Sequence, residues 1–338
     1  MTISRRTSVL KKLAFAIVAA FAGSSAGLAA DIQPVLLYDV GGKFDKSFNE
    51  AAHVGAEKFS TETRISYRDF EPSSETQYEQ ALKRFARRKA DLIVAVGVGY
   101  SVAVRNVASQ YPDVKFTVID AIIELPNVQS ITFRENEGSF LVGMIAAMKT
   151  ESNKIGFIGG MDIPLIRRFE RGYQQGAEYV NGDITLIENY VGTTPSAWND
   201  PIKASEMARS QYARGADIIF SAAGPSGLGV IQAAKDTGNL SIGVDSNQNH
   251  VAPGFVLTSM LKRVDLAVYM AMKEASDGSW QAGHRVMGLE EGGVDYAVDE
   301  HNKGMFTDEM KARLEQARAK IISGEIVVGD VAGSNSSH

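Results

Sequence analysis

Phe48-Asn49-Glu50-Ala51-Ala52-His53-Val54-Gly55-Ala56-Glu57 is echoed by Phe169-Glu170-Arg171-Gly172-Tyr173-Gln174-Gln175-Gly176-Ala177-Glu178. In each copy six residues separate the phenylalanine from Gly-Ala-Glu. Two further segments repeat in the same order: Ala90-Asp91-Leu92-Ile93 as Ala216-Asp217-Ile218-Ile219, and Phe116-Thr117-Val118-Ile119-Asp120 as Ile242-Gly243-Val244-Asp245. The offsets, read at Phe48/Phe169, Asp91/Asp217 and Asp120/Asp245, are 121, 126 and 125 residues. A period of that length is too long for a solenoid and fits two similar lobes of ordinary domain size. Two facing lobes enclose a cleft, and the cleft is the expected seat of function.

Around the echoes, short apolar runs alternate with helical patterns. Strands are expected at Val35–Tyr38, Ile65–Phe70, Leu92–Val96, Phe116–Ile119 and Val128–Phe133, with helices at Phe48–Phe59, Gln77–Arg88 and Val102–Ser109 between the first four. A helix near Glu137–Met148 opens a second series: strands at Lys154–Ile158, Thr185–Tyr190, Ile218–Phe220 and Ser241–Val244, helices at Leu165–Val180, Ile202–Arg214 and Leu228–Lys235. Such alternation predicts an α/β fold in which each lobe is a doubly wound parallel sheet. A tail follows, with a strand at Phe255–Ser259 and helices at Val264–Ser276 and Asp308–Ile321. The economical arrangement crosses between lobes near Arg134–Glu137, Asn249–Gly254 and Gly278–Gly283, a three-strand hinge. The N-terminal lobe is then 31–134 with 252–281, and the C-terminal lobe 135–251 with 282–338.

Residues 1–30 are of another kind. Arg5, Arg6, Lys11 and Lys12 precede the apolar run Leu13–Phe21, and small residues lead to Ala29-Ala30. That order reads as a cleaved export signal, with a hydrophobic segment too short to span a bilayer. Ser4-Arg5-Arg6 partly matches a twin-arginine signal, and a Sec route fits equally. Loss of the four basic residues takes the formal charge from −5 to −9, a poor surface for nucleic acid. With no cysteine, the chain has no disulfide, thiolate nucleophile or lipidation site. The expectation is a monomer in the periplasm without a lipid anchor.

Ligands of open parallel sheets bind beyond the carboxyl ends of the strands. Asp39, Asp120 and Asp245 each follow an apolar run at such an end, where a carboxylate can accept two hydroxyl donors. A strand-end aspartate can instead cap the next helix, although Asp120 precedes Ala-Ile-Ile-Glu, a poor helix start. Gly41–Asn49 is a glycine-rich turn that delivers Phe48 and Asn49. It lacks the phosphate-loop spacing, and Asp45 would repel phosphate. The turn suits a flat heterocycle stacked on Phe48, with Asn49 offering a donor and an acceptor; Phe169, the echo of Phe48, joins the same candidate set. Trp198, in a polar loop bearing Pro195 and Pro201, is either a surface plug or a second stacking face. Gly224 ends a strand and permits close approach of a ligand. Lys262 follows the strand taken to return to the first lobe; it is either solvated or reaches a hydroxyl or carboxylate. Enzyme signatures are missing: His53, His250, His284, His301 and His338 are scattered, and Gly97-Val98-Gly99 lacks the third glycine of a dinucleotide fingerprint.

Taken together, several motifs resemble the basic membrane protein family, the substrate-binding components of nucleoside ABC importers, and within it the purine nucleoside receptors. They are Asp45-Lys46-Ser47-Phe48-Asn49, Gly138-Ser139-Phe140-Leu141-Val142-Gly143, Gly156-Phe157-Ile158-Gly159-Gly160, Asn199-Asp200-Pro201, Ala223-Gly224 with Gly227-Leu228-Gly229-Val230, Gly243-Val244-Asp245-Ser246-Asn247-Gln248, and Thr258-Ser259-Met260 with Lys262. The resemblance implies a two-lobed type I periplasmic-binding-protein fold closing on a purine nucleoside, with a membrane permease and ATPase as partners and no cofactor. It implies that Phe48 and Trp198 sandwich the base, that Asp120 and Asn49 read its edge, and that Asp39, Gly224, Asp245 and Lys262 hold the ribose. Trp198 stands where many relatives carry Phe. Riboflavin as the ligand, a hydrolase using Asp39 and Asp245, and a sensor lobe for a receptor kinase are the alternatives.

Overall fold

A computed structural model describes residues 1–2 and 32–329; apart from Met1 and Thr2, the export-signal segment lies outside the described residues. In chain order the elements are β1 (Pro34–Leu37), α1 (Phe48–Thr63), β2 (Arg68–Phe70), α2 (Tyr78–Arg87), β3 (Leu92–Val96), α3 (Ser101–Gln110), β4 (Lys115–Ile119), β5 (Val128–Phe133), α4 (Glu135–Lys149), β6 (Lys154–Met161), α5 (Pro164–Val180) and β7 (Thr185–Gly192). There follow α6 (Pro201–Ala213), β8 (Ile218–Ala222), α7 (Gly227–Thr237), β9 (Leu240–Asp245), β10 (Val256–Lys262), α8 (Val264–Asp277), β11 (Gly283–Met287), β12 (Val294–Tyr296) and α9 (Asp308–Ile322). They build two sheets, β11-β5-β4-β3-β1-β2 and β12-β10-β9-β8-β6-β7. Every pairing is parallel except that of β10 with β12.

The central strands β1, β3 and β8 are buried on both faces because helices cover both. In the first sheet Leu36, Val94 and Ile119 feed one hydrophobic layer, while their neighbours Leu37, Ile93, Ala95 and Val118 feed the other. Helix α2 shows the matching helical period: Tyr78, Ala81, Leu82, Phe85 and Ala86 are its buried residues.

The sequence echoes have structural duties. A Cβ at Gly55 would lie 2.1 Å from the Asp265 carbonyl oxygen, and one at Gly176 would lie 1.9 Å from that of Phe140. Each repeated glycine thus lets two helices, α1 with α8 and α5 with α4, touch backbone to backbone. Asp91 accepts from Gln33 N, and Asp217 from Glu151 N and Ser152 N, so each pins the approach to its lobe's first strand. Asp120 and Asp245 both adopt positive φ, 69° and 64°.

The hinge differs from the sequence expectation. The strand placed at Phe255–Ser259, β10, pairs with β9 in the second sheet and does not return to the first lobe. The chain crosses at Arg134, at Arg263 and through Gly288–Gly293, in place of crossings at Asn249–Gly254 and Gly278–Gly283. The lobes are therefore 32–133 with 264–287, and 135–262 with 294–329. The physical reason is that the repeat extends further than the echoes: β4 runs into β5, and β9 into β10, as parallel neighbours with no α-helix between them. The helix after each of these last strands is exchanged, α4 packing on α5 in the second lobe and α8 on α1 in the first. Arg134 and Arg263 have similar conformations, φ/ψ of −93°/70° and −77°/58°. Each donates its N–H to the third crossing segment, at Met287 O (3.1 Å) and Gly293 O (2.8 Å).

Candidate functional site

Between the lobes lies a cleft with about 630 Å³ of empty space, mouth included, within the range of small-molecule sites. All nine sequence candidates line it: Asp39, Phe48, Asn49 and Asp120 from the first lobe, and Phe169, Trp198, Gly224, Asp245 and Lys262 from the second. Leu165 and Ile166, at the start of α5, and Val98 add an apolar wall that sequence reasoning did not single out.

The turn after β1 is held by its own polar side chains. Asp45 accepts from the N–H groups of Ser47, Asn49 and Glu50, satisfying the open donors at the start of α1. Phe48 is thereby fixed as the first helical residue. Asn49 accepts from Asp39 N (2.9 Å) and donates to Asp39 O (3.1 Å) and Gly42 O (3.2 Å). Both N–H donors of its amide are thus committed to the main chain, which leaves the second lone pair of Oδ1 as its one group for the edge of a ligand. Across the cleft, the short 3-10 turn Pro195–Asn199 presents Trp198. The six-membered ring of the indole lies against the backbone of Gly160, where a Cβ would come within 2.1 Å of Cζ3. Gly224 has φ 54° and opens the end of β8.

The ionic centre joins both lobes. Lys262 is 2 % exposed; its Nζ lies 2.6 Å from Asp120 Oδ2 and 3.0 Å from Glu135 Oε1, and Arg168 Nε lies 2.9 Å from Glu135 Oε2. The rings of Phe48, Phe133 and Phe169 surround the ammonium at 5.3, 5.1 and 5.7 Å, within cation–π range. Phe169 is 3 % exposed, so this ring serves the lysine as well as the cleft. Burial by itself lowers the lysine pKa, and the anions Asp120, Glu135 and Asp245 more than offset that, holding it above its ordinary value. Asp120 Oδ1 is buried without a hydrogen-bond partner. Four more bonds cross the cleft: Ser47 Oγ donates to Asp245 Oδ2 (2.6 Å) and, more weakly, to Val244 O (3.4 Å), Ser246 Oγ to Ser47 O (2.7 Å), and Gln248 Nε2 to Lys46 O (3.0 Å).

Burial raises Asp39, Asp120 and Asp245 to about 6. Because these folded values exceed the ordinary one, their contribution to ligand-free stability is complete below pH 4 and is lost as pH rises through about 6. A ligand that donates hydroxyls to the carboxylates favours the ionised form and has the opposite dependence. The stabilisation that ligand gives, read as the shift in thermal midpoint at fixed ligand concentration, is expected to shrink between pH 7.5 and pH 5. A shift that is constant across that range would show that no carboxylate of the cleft accepts from the ligand.

A sequence model described as ABC transporter substrate-binding protein PnrA-like matches residues 32–332. The chain belongs to that family. Among its PnrA-like relatives is the ABC transporter nucleoside-binding protein BmpA of Lactococcus lactis subsp. cremoris, 30 % identical over 96 % of this chain and 99 % of that one. Basic membrane protein A of Borreliella burgdorferi is 34 % identical over 89 % of each chain. A solved ABC transporter solute-binding protein from Aeropyrum pernix K1 superposes with a TM-score of 0.80 at 30 % identity, covering 88 % of this chain and 94 % of that one. The expected family and two-lobed periplasmic-binding-protein fold are borne out. PnrA-like proteins are substrate-binding components of ABC transporters, so the partners are a ligand and a membrane permease with its ATPase. Among the described residues no helix is long and apolar enough to cross a membrane. A Pyrococcus horikoshii relative, 35 % identical over 78 % of this chain, is named a lipoprotein, whereas this chain has no cysteine.

Proposed function

We propose that the cleft binds a purine ribonucleoside, sandwiches its base between Phe48 and Trp198, and passes it intact to the permease. The observation that carries the reading is the meeting, in one cleft, of an aromatic ring from each lobe with three strand-end aspartates. The nucleoside-binding name of the Lactococcus relative points the same way. Asp120 Oδ1, buried without a partner, is suited to accept from a base N–H. Asp39 and Asp245 each have one oxygen engaged by the protein, leaving the other for ribose hydroxyls. Lys262, already shared between two carboxylates, has its third donor for the ligand. The protein acts as an exported monomer, freed of residues 1–30 and carrying no thioether lipid, and it binds without turnover.

Titration calorimetry with inosine, guanosine and adenosine, each against its 2′- and 3′-deoxy form, tests the reading. Loss of a hydroxyl leaves a buried carboxylate unpaired, at a cost of about 1–3 kcal/mol, so each deoxy form is expected to bind about tenfold more weakly or worse. Equal affinities would remove the ribose assignment. Tight binding of riboflavin with none of any nucleoside would replace the ligand altogether.

A further inference from the structure

We propose that Tyr78, outside the cleft lining, is a positioning residue that aims the Asp39 carboxylate at the ligand. The inference rests on the nucleoside reading above. Tyr78 begins α2, where its place on the buried stripe marks it as core by pattern. Its ring is stacked on Tyr100, with centroids 3.8 Å apart and planes 14° from parallel, and Tyr100 Oη donates to Tyr38 O at 2.8 Å. The stack leaves the Tyr78 hydroxyl little freedom. That hydroxyl donates to Asp39 Oδ1, which also accepts from Val40 N at 2.8 Å, and it lies 3.3 Å from Val40 N.

The other carboxylate oxygen is shaped by a glycine. A Cβ at Gly97, whose φ is 114°, would fall 2.3 Å from Asp39 Oδ2. With one oxygen gripped by Tyr78 and Val40 and the other given room only by the missing side chain of Gly97, the carboxylate has a single orientation, with Oδ2 left for a ligand donor. The titratable groups facing Asp39 are Tyr78, Glu75, Tyr100 and Asp120. Burial raises Asp39 most, the Tyr78 hydroxyl and Val40 N–H lower it, and the anions Glu75 and Asp120 raise it further. Removing the hydroxyl takes away a hydrogen bond to the ionised form, so it moves the Asp39 titration upward, toward neutrality.

The test is Tyr78→Phe in the full chain, with nucleoside affinity followed by calorimetry from pH 5 to pH 8.5. The ring and its stack remain, so only the hydroxyl is lost. Affinity at pH 7 is expected to fall about tenfold, the magnitude of one hydrogen bond to a charged group, and the pH at which affinity is half lost is expected to rise by about one unit. Asp39→Asn supplies the second measurement: in that background Tyr78→Phe should have no further effect on the profile. A variant that binds with the unaltered pH profile, or one whose loss is the same at every pH and persists with Asp39→Asn, overturns the inference while leaving the nucleoside reading intact. If the unaltered protein binds no nucleoside, both fall. If Tyr78→Phe fails to fold, the unaltered protein decides: a downfield, slowly exchanging Tyr78 hydroxyl proton that disappears as the Asp39 carboxyl titrates supports the inference, and a rapidly exchanging one overturns it.

Discussion

Lys262→Met is expected to lose about 3–5 kcal/mol of stability, the cost of removing one partner from a buried ion pair, and to abolish measurable ligand binding. The methionine fills much of the lysine's space among Phe48, Phe133 and Phe169, so the loss measures charge more than volume. Asp120 and Glu135 are left facing each other without the ammonium that lies 2.6 and 3.0 Å from them. Asp120 must then take up a proton to stay buried, whereas Glu135 keeps the Arg168 guanidinium at 2.9 Å. Urea unfolding at pH 7 and pH 5 reads the effect, and the deficit should narrow at the lower pH, where protonation is easier. Adding Asp120→Asn to the methionine variant should restore part of the stability without restoring binding, because Asp120 joins the lysine from the opposite lobe. A deficit that is the same at both pH values would mean that Asp120 is solvated and that the lysine is not the central charge of the cleft.

Trp198→Ala is expected to weaken nucleoside binding about tenfold to hundredfold, in line with about 1–3 kcal/mol for one aromatic–base stack. Phe48→Ala should cost at least as much, since Phe48 also packs against Lys262. The fold should tolerate Trp198→Ala better, because Trp198 is only partly buried and sits on a short surface turn. The two tryptophans of the chain separate cleanly as reporters. Trp280 donates from Nε1 to Thr117 Oγ1, away from the cleft, so a ligand stacked in the cleft should quench the fluorescence of Trp198 alone. Quenching that survives Trp198→Ala would place the heterocycle elsewhere.

How much of this could be read from the residues depended on what each one had to do. Asp39, Asp120 and Asp245 were legible because an apolar run ending in aspartate fixes the carboxylate at a sheet edge, whatever surrounds it. The positive φ of Asp120 and Asp245 was not, since nothing in an Asp-Ala or Asp-Ser pair announces it. Asn49 was placed in the cleft by its position in the turn, but that its N–H donors also hold the turn could not be read from sequence; only the bonds to Asp39 and Gly42 show it. Glu135 and Tyr78 went unmarked for a related reason. One reads as an ordinary acid in the first turn of a helix and the other as an ordinary core ring. The lobe assignment of β10 was hidden because its buried residues Val256–Met260 would suit either sheet; the exchange of α4 and α8 between lobes is a long-range choice with no local signature.

That exchange, with β1 in one lobe and α9 resting on α4 in the other, gives the molecule a built-in gauge. Exposed positions such as Thr61 on α1 and Gln316 on α9 ride on different halves, and the chain has no native thiol to compete for a maleimide dye. A donor and an acceptor fluorophore on Thr61→Cys and Gln316→Cys would turn any change in the angle between the halves into a change in energy transfer, with both labels remote from the cleft.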